Sequence, residues 1–105
     1  METQENISAL VKQLKREADM HPVRNCSEAP HPRHTAEFGD GTRICFTRNV
    51  RPENERYVLS VRGAAKPPAH ARIEPLLNAL FGKGLTVIEM GDIETPNTRC
   101  FYRVI

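Results

Sequence analysis

The chain has 105 residues, of which 39% are hydrophobic and 27% are charged, and its formal net charge at pH 7 is +2. This length and composition predict one globular domain and exclude a disordered chain. No apolar run approaches the roughly 20 residues that a membrane-spanning helix needs, so no membrane partner is expected. The first residues lack the apolar segment of a secretory signal, and the three cysteines follow no disulfide-framework spacing. We therefore expect reduced thiols and a cytoplasmic location.

The positive charge is concentrated in the middle of the chain. Residues 21–72 contain eight Arg and one Lys against five acidic residues, a net charge of +4, whereas residues 1–20 and 73–105 each have a net charge of −1. The planar guanidinium of arginine suits bidentate contact with a carboxylate or a phosphate. The basic middle section therefore indicates an acidic partner, either a protein or a nucleic acid.

An amphipathic helix is predicted over residues 3–19, within the N-terminal segment 1–20. The residues that share its apolar face at helical spacing are Ile7, Leu10, Val11, Leu14 and Ala18. Such a helix is marginal alone in water, so its apolar face must pack against the chain's own sheet, a second copy or another partner. We favour its own sheet. Residues 21–34 have three prolines and no periodicity, which predicts a loop.

Three strands of alternating apolar and polar residues are predicted next, over residues 35–38, 43–48 and 56–62. A Gly-Asp-Gly turn joins the first two strands, and a longer polar turn joins the second to the third. Tyr57, Leu59 and Val61 of the third strand are predicted to face the core. Arg56 and Arg62 then point to the opposite face. We expect the rest of the chain to be organised around this third strand.

A second helix is predicted after a Pro-Pro pair, and Gly82 is expected to end it. Pro75 is tolerated only in the first turn, so the regular helix is expected to begin near residues 71–74. Residues 85–90 predict a strand that could lie parallel to an earlier one through a helical crossover. A terminal strand over residues 98–105 is predicted to offer an open edge for strand addition or dimerisation.

The resulting element order, α-β-β-β-α-β-β, indicates the α+β fold class. We predict a single domain over residues 1–105, with the N-terminal helix, the loop at 21–34, and the sheet with its second helix over 35–105. The helices are expected to cover one face of a mostly antiparallel sheet, and the other face can remain in contact with water.

The residues predicted to bind a partner are five arginines: Arg43, Arg56, Arg62, Arg48 and Arg103. The first three would gather on the uncovered face of the sheet if the strand registers align. Lysine and arginine side chains that neutralise phosphates also supply most of the affinity of non-specific nucleic-acid binding, which leaves that alternative open. A solvated sheet face that contacts no partner commonly carries arginine as well.

A second cluster lies in the loop. Three of the four histidines and one cysteine fall within residues 21–34, in the order His21, Cys26, His31 and His34. Imidazole and thiolate are the ligands that zinc prefers, and four of them could close a tetrahedral structural site. The spacing matches no standard zinc finger, and an ordinary exposed loop explains it equally.

The sequence contains no recognisable catalytic constellation, so we predict a protein that is not an enzyme. The favoured hypothesis is a small adaptor, regulator or inhibitor, of the kind a mobile genetic element can carry, that binds a protein through an arginine-bearing sheet face. Nucleic-acid binding through residues 21–72 is the first alternative, and a small zinc-binding protein is the second. A homodimer is compatible with each of them.

Overall fold

The computed structural model describes residues 4–24, 33–66, 70–84, 86–89 and 97–104. Its two helices are α1 (Gln4–Met20) and α2 (His70–Phe81). Its five strands are β1 (Thr35–Glu37), β2 (Arg43–Arg51), β3 (Asn54–Arg62), β4 (Ile88–Glu89) and β5 (Thr98–Val104). The predicted α+β class and the element order α-β-β-β-α-β-β are confirmed.

The five strands form one antiparallel sheet in the order β1-β2-β3-β5-β4. The third predicted strand, now β3, lies at the centre of this order. Two expectations are wrong. β4 does not lie parallel to an earlier strand but pairs antiparallel with β5, and β5 is not an edge because β3 and β4 flank it. The edges of the described sheet are β1 and β4.

Both helices pack on one face of the sheet and close the core. From α1 come Val11, Leu14 and Ala18, which confirms that the apolar face of this helix packs within its own chain. The core residues of the second helix and the sheet are Ile73, Leu77, Leu80, Phe81, Ile44, Phe46, Leu59, Val61 and Phe101. Neither helix in the described ranges is long and apolar enough to cross a membrane.

The β2–β3 hairpin is longer than the sequence indicated. The strands pair continuously from Arg43 opposite Arg62 to Arg51 opposite Asn54, so only Pro52 and Glu53 form the turn. Residues 49–51 and 54–55, which had suggested a longer turn, belong to the two paired strands instead. Proline fixes φ at about −65°, so this turn is not one of the primed types that two-residue hairpin loops usually adopt, and neither Pro52 nor Glu53 has a positive φ.

Helix α2 begins at His70, slightly earlier than predicted, and therefore contains Pro75 inside it. A proline in a helix interior lacks the N–H for one backbone hydrogen bond and costs about 3 kcal/mol. The buried face of α2 offsets this cost because its apolar side chains fill the core. The helix ends as predicted at Gly82, which adopts a φ of 97° and donates its N–H to the carbonyl oxygen of Asn78 over 3.0 Å.

Candidate partner-binding face

The register of the strands divides the five predicted arginines between the two faces of the sheet. Arg43 on β2 lies directly opposite Arg62 on β3, and both point away from the helices. We call this side the outer face. Arg56 is six positions before Arg62 on the same strand, and residues an even number of positions apart on a strand point to the same face, so Arg56 also lies on the outer face. Arg48 and Arg103 have the opposite parity and lie on the helix-covered face, opposite Tyr57 in the two neighbouring strands.

A groove opens at the end of the outer face where Arg43 and Arg62 meet. Its volume is about 330 Å³. The residues that line it, which together we call the arginine groove, are Thr35, Ala36, Glu37, Arg43, Ile44, Cys45, Ser60 and Arg62. The lining thus combines small polar residues and the two arginines with the hydrophobic residues Ala36 and Ile44.

The charges of the arginine groove are unbalanced. Nε of Arg43 lies 3.4 Å from Oε2 of Glu37, but both side chains are mostly exposed, at 66% and 58%, so the pair is screened by water. Among the described residues, no carboxylate is paired with Arg62. Two like charges directly opposite each other across a strand pair repel. The groove thus has one more cation than it has anions, and an incoming carboxylate or phosphate would relieve the repulsion.

Arg56 lies at the other end of β3 in a different environment. Its guanidinium carbon is 4.9 Å from the centre of the Tyr102 ring, a cation–π contact. Val104 lies opposite Arg56 in the register, and Ile88 lies opposite Tyr102. The two aliphatic side chains are 57% and 46% exposed. Because exposed apolar and aromatic residues beside an arginine are typical of protein interfaces, we name Arg56, Ile88, Tyr102 and Val104 the apolar patch.

The outer face is closed beside the apolar patch, where β2 and β3 lie level with Tyr102 and Val104. Thr47, Asn49 and Val58 point to this side but are buried, and the Thr47 hydroxyl donates to Oδ1 of Asn49 over 2.6 Å. Val23 forms a parallel bridge with Asn49 at the margin of β2. The face that we expected could remain in contact with water is therefore accessible mainly at the arginine groove and the apolar patch.

Arg48 and Arg103 both have hydrogen-bond acceptors on the helix-covered face. Nη2 of Arg48 donates to Oε2 of Glu55 over 3.1 Å, and this hydrogen bond is the main cause that raises the pKa of Arg48. Nη1 of Arg103 donates to the carbonyl oxygen of Phe81 over 3.4 Å, at the C-terminus of α2. A cation there satisfies a free helix carbonyl and interacts favourably with the helix dipole.

The structure describes two of the four residues predicted to bind zinc. His34 is fully buried, with Nδ1 3.2 Å from the carbonyl oxygen of Phe46, and its Nε2 is buried without a hydrogen-bond partner. His21 is half-exposed at the end of α1, with Nε2 3.6 Å from Oε2 of Glu17. Cys26 and His31 lie outside the described residues. Within the described ranges, no three metal-ligating side chains come together.

The sequence did not single out the apolar patch, although alternation along β5 already separates Tyr102 and Val104 from the core residue Phe101. The missing information was the position of Ile88, which depends on how β4 pairs.

No known protein family matches the chain, and no curated protein or solved structure is significantly similar to it.

Proposed function

We propose that the protein is a non-catalytic binding protein, an adaptor, regulator or inhibitor, that captures an acidic segment of a partner protein in the arginine groove. The observation that carries this proposal is the direct cross-strand pairing of Arg43 with Arg62 at the rim of one groove. Each guanidinium group can offer two parallel N–H donors, which a carboxylate accepts in a bidentate geometry.

The strength of such a contact suits reversible capture. Hydrogen bonds to charged groups each contribute about 1.5–3 kcal/mol. Relief of the repulsion between Arg43 and Arg62 adds to this, because the like charges face each other before the partner arrives. Charges at an exposed rim also raise the rate of encounter more than they raise affinity. The proposed complex therefore forms rapidly and weakens as salt is added.

The arrangement of the cations supports a protein partner over a nucleic acid. Nucleic-acid binding needs a track of cations that follows successive phosphates. Here, however, Arg33 already forms an ion pair with Glu17, and Arg48 and Arg99 lie on the helix-covered face in ion pairs with Glu55 and Glu89. The two adjacent arginines of the groove match one or two carboxylates better than a phosphate backbone.

Affinity capture from a native lysate tests the proposal. The variant is Arg43→Glu with Arg62→Glu, and the matched control is Lys12→Glu with Lys15→Glu, which makes the same charge change on the exposed side of α1. We expect the wild-type protein and the control to capture one protein partner, and the groove variant to lose it with an unchanged circular-dichroism spectrum. Capture that survives the groove reversal would contradict the proposal.

The same experiment addresses the nucleic-acid alternative. Treatment of the lysate with nuclease should leave the captured protein in place, and the purified chain should not be retained on DNA at low salt. Capture that disappears with nuclease, together with retention on DNA that falls steeply as salt rises, would replace the protein partner with a nucleic acid.

A zinc site is a second candidate function, favoured by the buried Nε2 of His34. A histidine that engages a carbonyl oxygen through Nδ1 presents Nε2 as a metal ligand. Elemental analysis of protein purified without a chelator tests this candidate. One zinc per chain that is lost in both His34→Ala and Cys26→Ala supports it, and sub-stoichiometric zinc in the wild-type protein ends it.

The proposal includes a reducing, cytoplasmic location. Cys45 and Cys100 lie on either side of Ser60 in the register, two strand spacings or about 10 Å apart. A disulfide requires Cα atoms within about 7 Å of each other, so these two thiols cannot pair with one another in this fold. The exclusion of this pair is compatible with the reduced cysteines of the proposed location.

A further inference from the structure

We infer that the partner segment is bipartite: it places acidic side chains in the arginine groove and apolar side chains on the apolar patch, and it crosses the outer face in an extended conformation. This inference rests on the proposed function, because it keeps the arginine groove as the acidic site. The inference adds the apolar patch as a second binding site, and it specifies the distance between the two sites and the extended conformation of the partner segment.

The apolar patch has the composition of an interface anchor. Ile88 and Val104 are about half exposed, and they flank the Tyr102 ring on the same face of the sheet. Tyrosine and arginine are the residue types that most often dominate binding energy, and Arg56 already holds the ring by a cation–π contact. Aliphatic side chains of a partner would cover this surface and remove it from water.

The surface between the two anchors permits a thin occupant. Ser60, at the end of the arginine groove nearer the apolar patch, lies opposite Cys100 in the register, and both side chains are small. A single extended chain can pass over such residues. An amphipathic helix would need a continuous apolar strip, whereas the groove that it would have to cover is cationic and polar.

The strand geometry sets the spacing of the two anchors. Tyr102 lies opposite Val58, four residues from Arg62, and Val104 lies opposite Arg56, six residues from Arg62. At about 3.3 Å per residue, the apolar patch begins about 13 Å from the arginine groove along the strand and ends about 20 Å from it. An extended segment covers this distance in roughly four to six residues. The acidic and apolar residues of the partner should be separated accordingly.

The partner segment thus has its charge at one end and its hydrophobic side chains at the other. The acidic end should control the rate of association and its dependence on salt, because exposed charges steer encounter. The apolar end should control the lifetime of the complex, since burial of apolar area mainly slows dissociation. A segment with only one of these ends would bind transiently.

Selection from a displayed library of random twelve-residue peptides tests the inference without a known partner. The immobilised proteins are the wild type, the groove variant Arg43→Gln with Arg62→Gln, the patch variant Ile88→Ser with Val104→Ser, and the control Lys12→Gln with Lys15→Gln. All the substituted side chains are wholly or partly exposed, and circular dichroism verifies each fold. The wild type and the control should enrich peptides with acidic and apolar residues about four to six positions apart.

The variants should then separate the two anchors. The groove variant should lose the acidic preference, and the patch variant should lose the apolar one. A synthetic peptide of the enriched sequence should bind either variant about tenfold more weakly than it binds the wild type, as expected for the loss of an anchor. Raising the salt should weaken its binding to the wild type and the patch variant, and have little effect on the groove variant.

Each other result has a definite meaning. Enrichment of acidic residues alone, unaffected by the patch variant, would overturn the bipartite segment and leave the proposed function standing. Enrichment of apolar residues alone, unaffected by the groove variant, would overturn both. Enrichment with the two classes at random separations would overturn the extended crossing, and no enrichment beyond an uncoated surface would overturn the inference as a whole.

Discussion

The hydroxyl of Tyr57 donates a hydrogen bond of 2.5 Å to Oδ1 of Asp19. This contact joins the last turn of α1 to the central strand. The same oxygen of Asp19 lies 3.8 Å from Nη1 of Arg48, and Arg48 is in turn bonded to Glu55. Polar side chains from α1, β2 and β3 thus form one cluster beside the core, and they fix the end of the helix on the sheet.

This cluster predicts how stability depends on alkaline pH. The hydrogen bond to Asp19 is the largest cause that raises the pKa of Tyr57, followed by burial. A group whose pKa is higher in the folded state stabilises the fold below its unfolded pKa, and this contribution is lost as the pH rises through the folded value. Since an unfolded tyrosine titrates near pH 10, the wild type should lose stability above about pH 10 more steeply than Tyr57→Phe. Thermal unfolding from about pH 8 to about pH 11 measures this, and parallel curves for the two proteins would refute it.

The turn between β1 and β2 predicts a difference between two glycines. Gly41 adopts a φ of 89°, and a Cβ added there would come within 3.0 Å of the Cβ of Ala64. An alanine in this region of φ is strained by about 1–2 kcal/mol, and the close contact adds to that. Gly41→Ala should therefore lower the melting temperature by several degrees, about 4–8 °C for each kcal/mol. The control is Gly39→Ala, where a Cβ meets nothing within 4 Å, and an equal loss in both variants would contradict the explanation.

The docking of α1 predicts a large loss from one leucine. Leu14 is 1% exposed and packs in the core cluster. Truncation of a buried leucine to alanine costs about 2–5 kcal/mol, because it removes apolar contacts and leaves a cavity. Leu14→Ala should show this loss in chemical unfolding at every protein concentration. The exposed neighbour Gln13→Ala is the control. A loss that varies with protein concentration would indicate that α1 packs on a second copy instead.

The two classes of arginine predict opposite effects on stability. Arg62→Gln removes one of two facing like charges, so stability should stay the same or rise by a few tenths of a kcal/mol at low salt, and the gain should vanish at high salt. Arg103→Gln removes the contact with the C-terminus of α2 and should cost about 0.3–1 kcal/mol. Capture of the partner should be reduced only by Arg62→Gln. Equal effects of the two substitutions on capture would argue against the division of the arginines by face.

Much of this fold follows from local sequence patterns. The alternation of Tyr57, Leu59 and Val61 sets which side of β3 faces the helices, because side chains of a strand alternate whatever its neighbours are. Leu59 and Val61 are indeed buried, and Tyr57 packs against the core. The same rule applied to β2 assigns Arg48 to the side of Ile44 and Phe46. A guanidinium on that side needs carboxylate partners, and Glu55 and Asp19 supply them.

The candidate site depended on information that no local pattern contains. The pairing of Arg43 with Arg62 follows from a two-residue turn, whereas the polar residues around it had suggested a longer one. The contact between Arg56 and Tyr102 depends on the pairing of β3 with β5, which are separated by a helix and another strand. Long-range register of this kind is set by the packing of the whole core and not by any single segment.

The tight β2–β3 turn also has a consequence for the order of folding. Arg43 and Arg62 are brought together by a hairpin whose contacts are local, so the arginine groove can form as soon as β1, β2 and β3 pair. Tyr102 and Val104 reach β3 only after the chain closes a loop that includes α2, and loop closure opposes such distant contacts. We therefore expect that a nascent chain first acquires the groove that binds acidic side chains and acquires the apolar patch last. Long-lived binding would then require the fully folded chain.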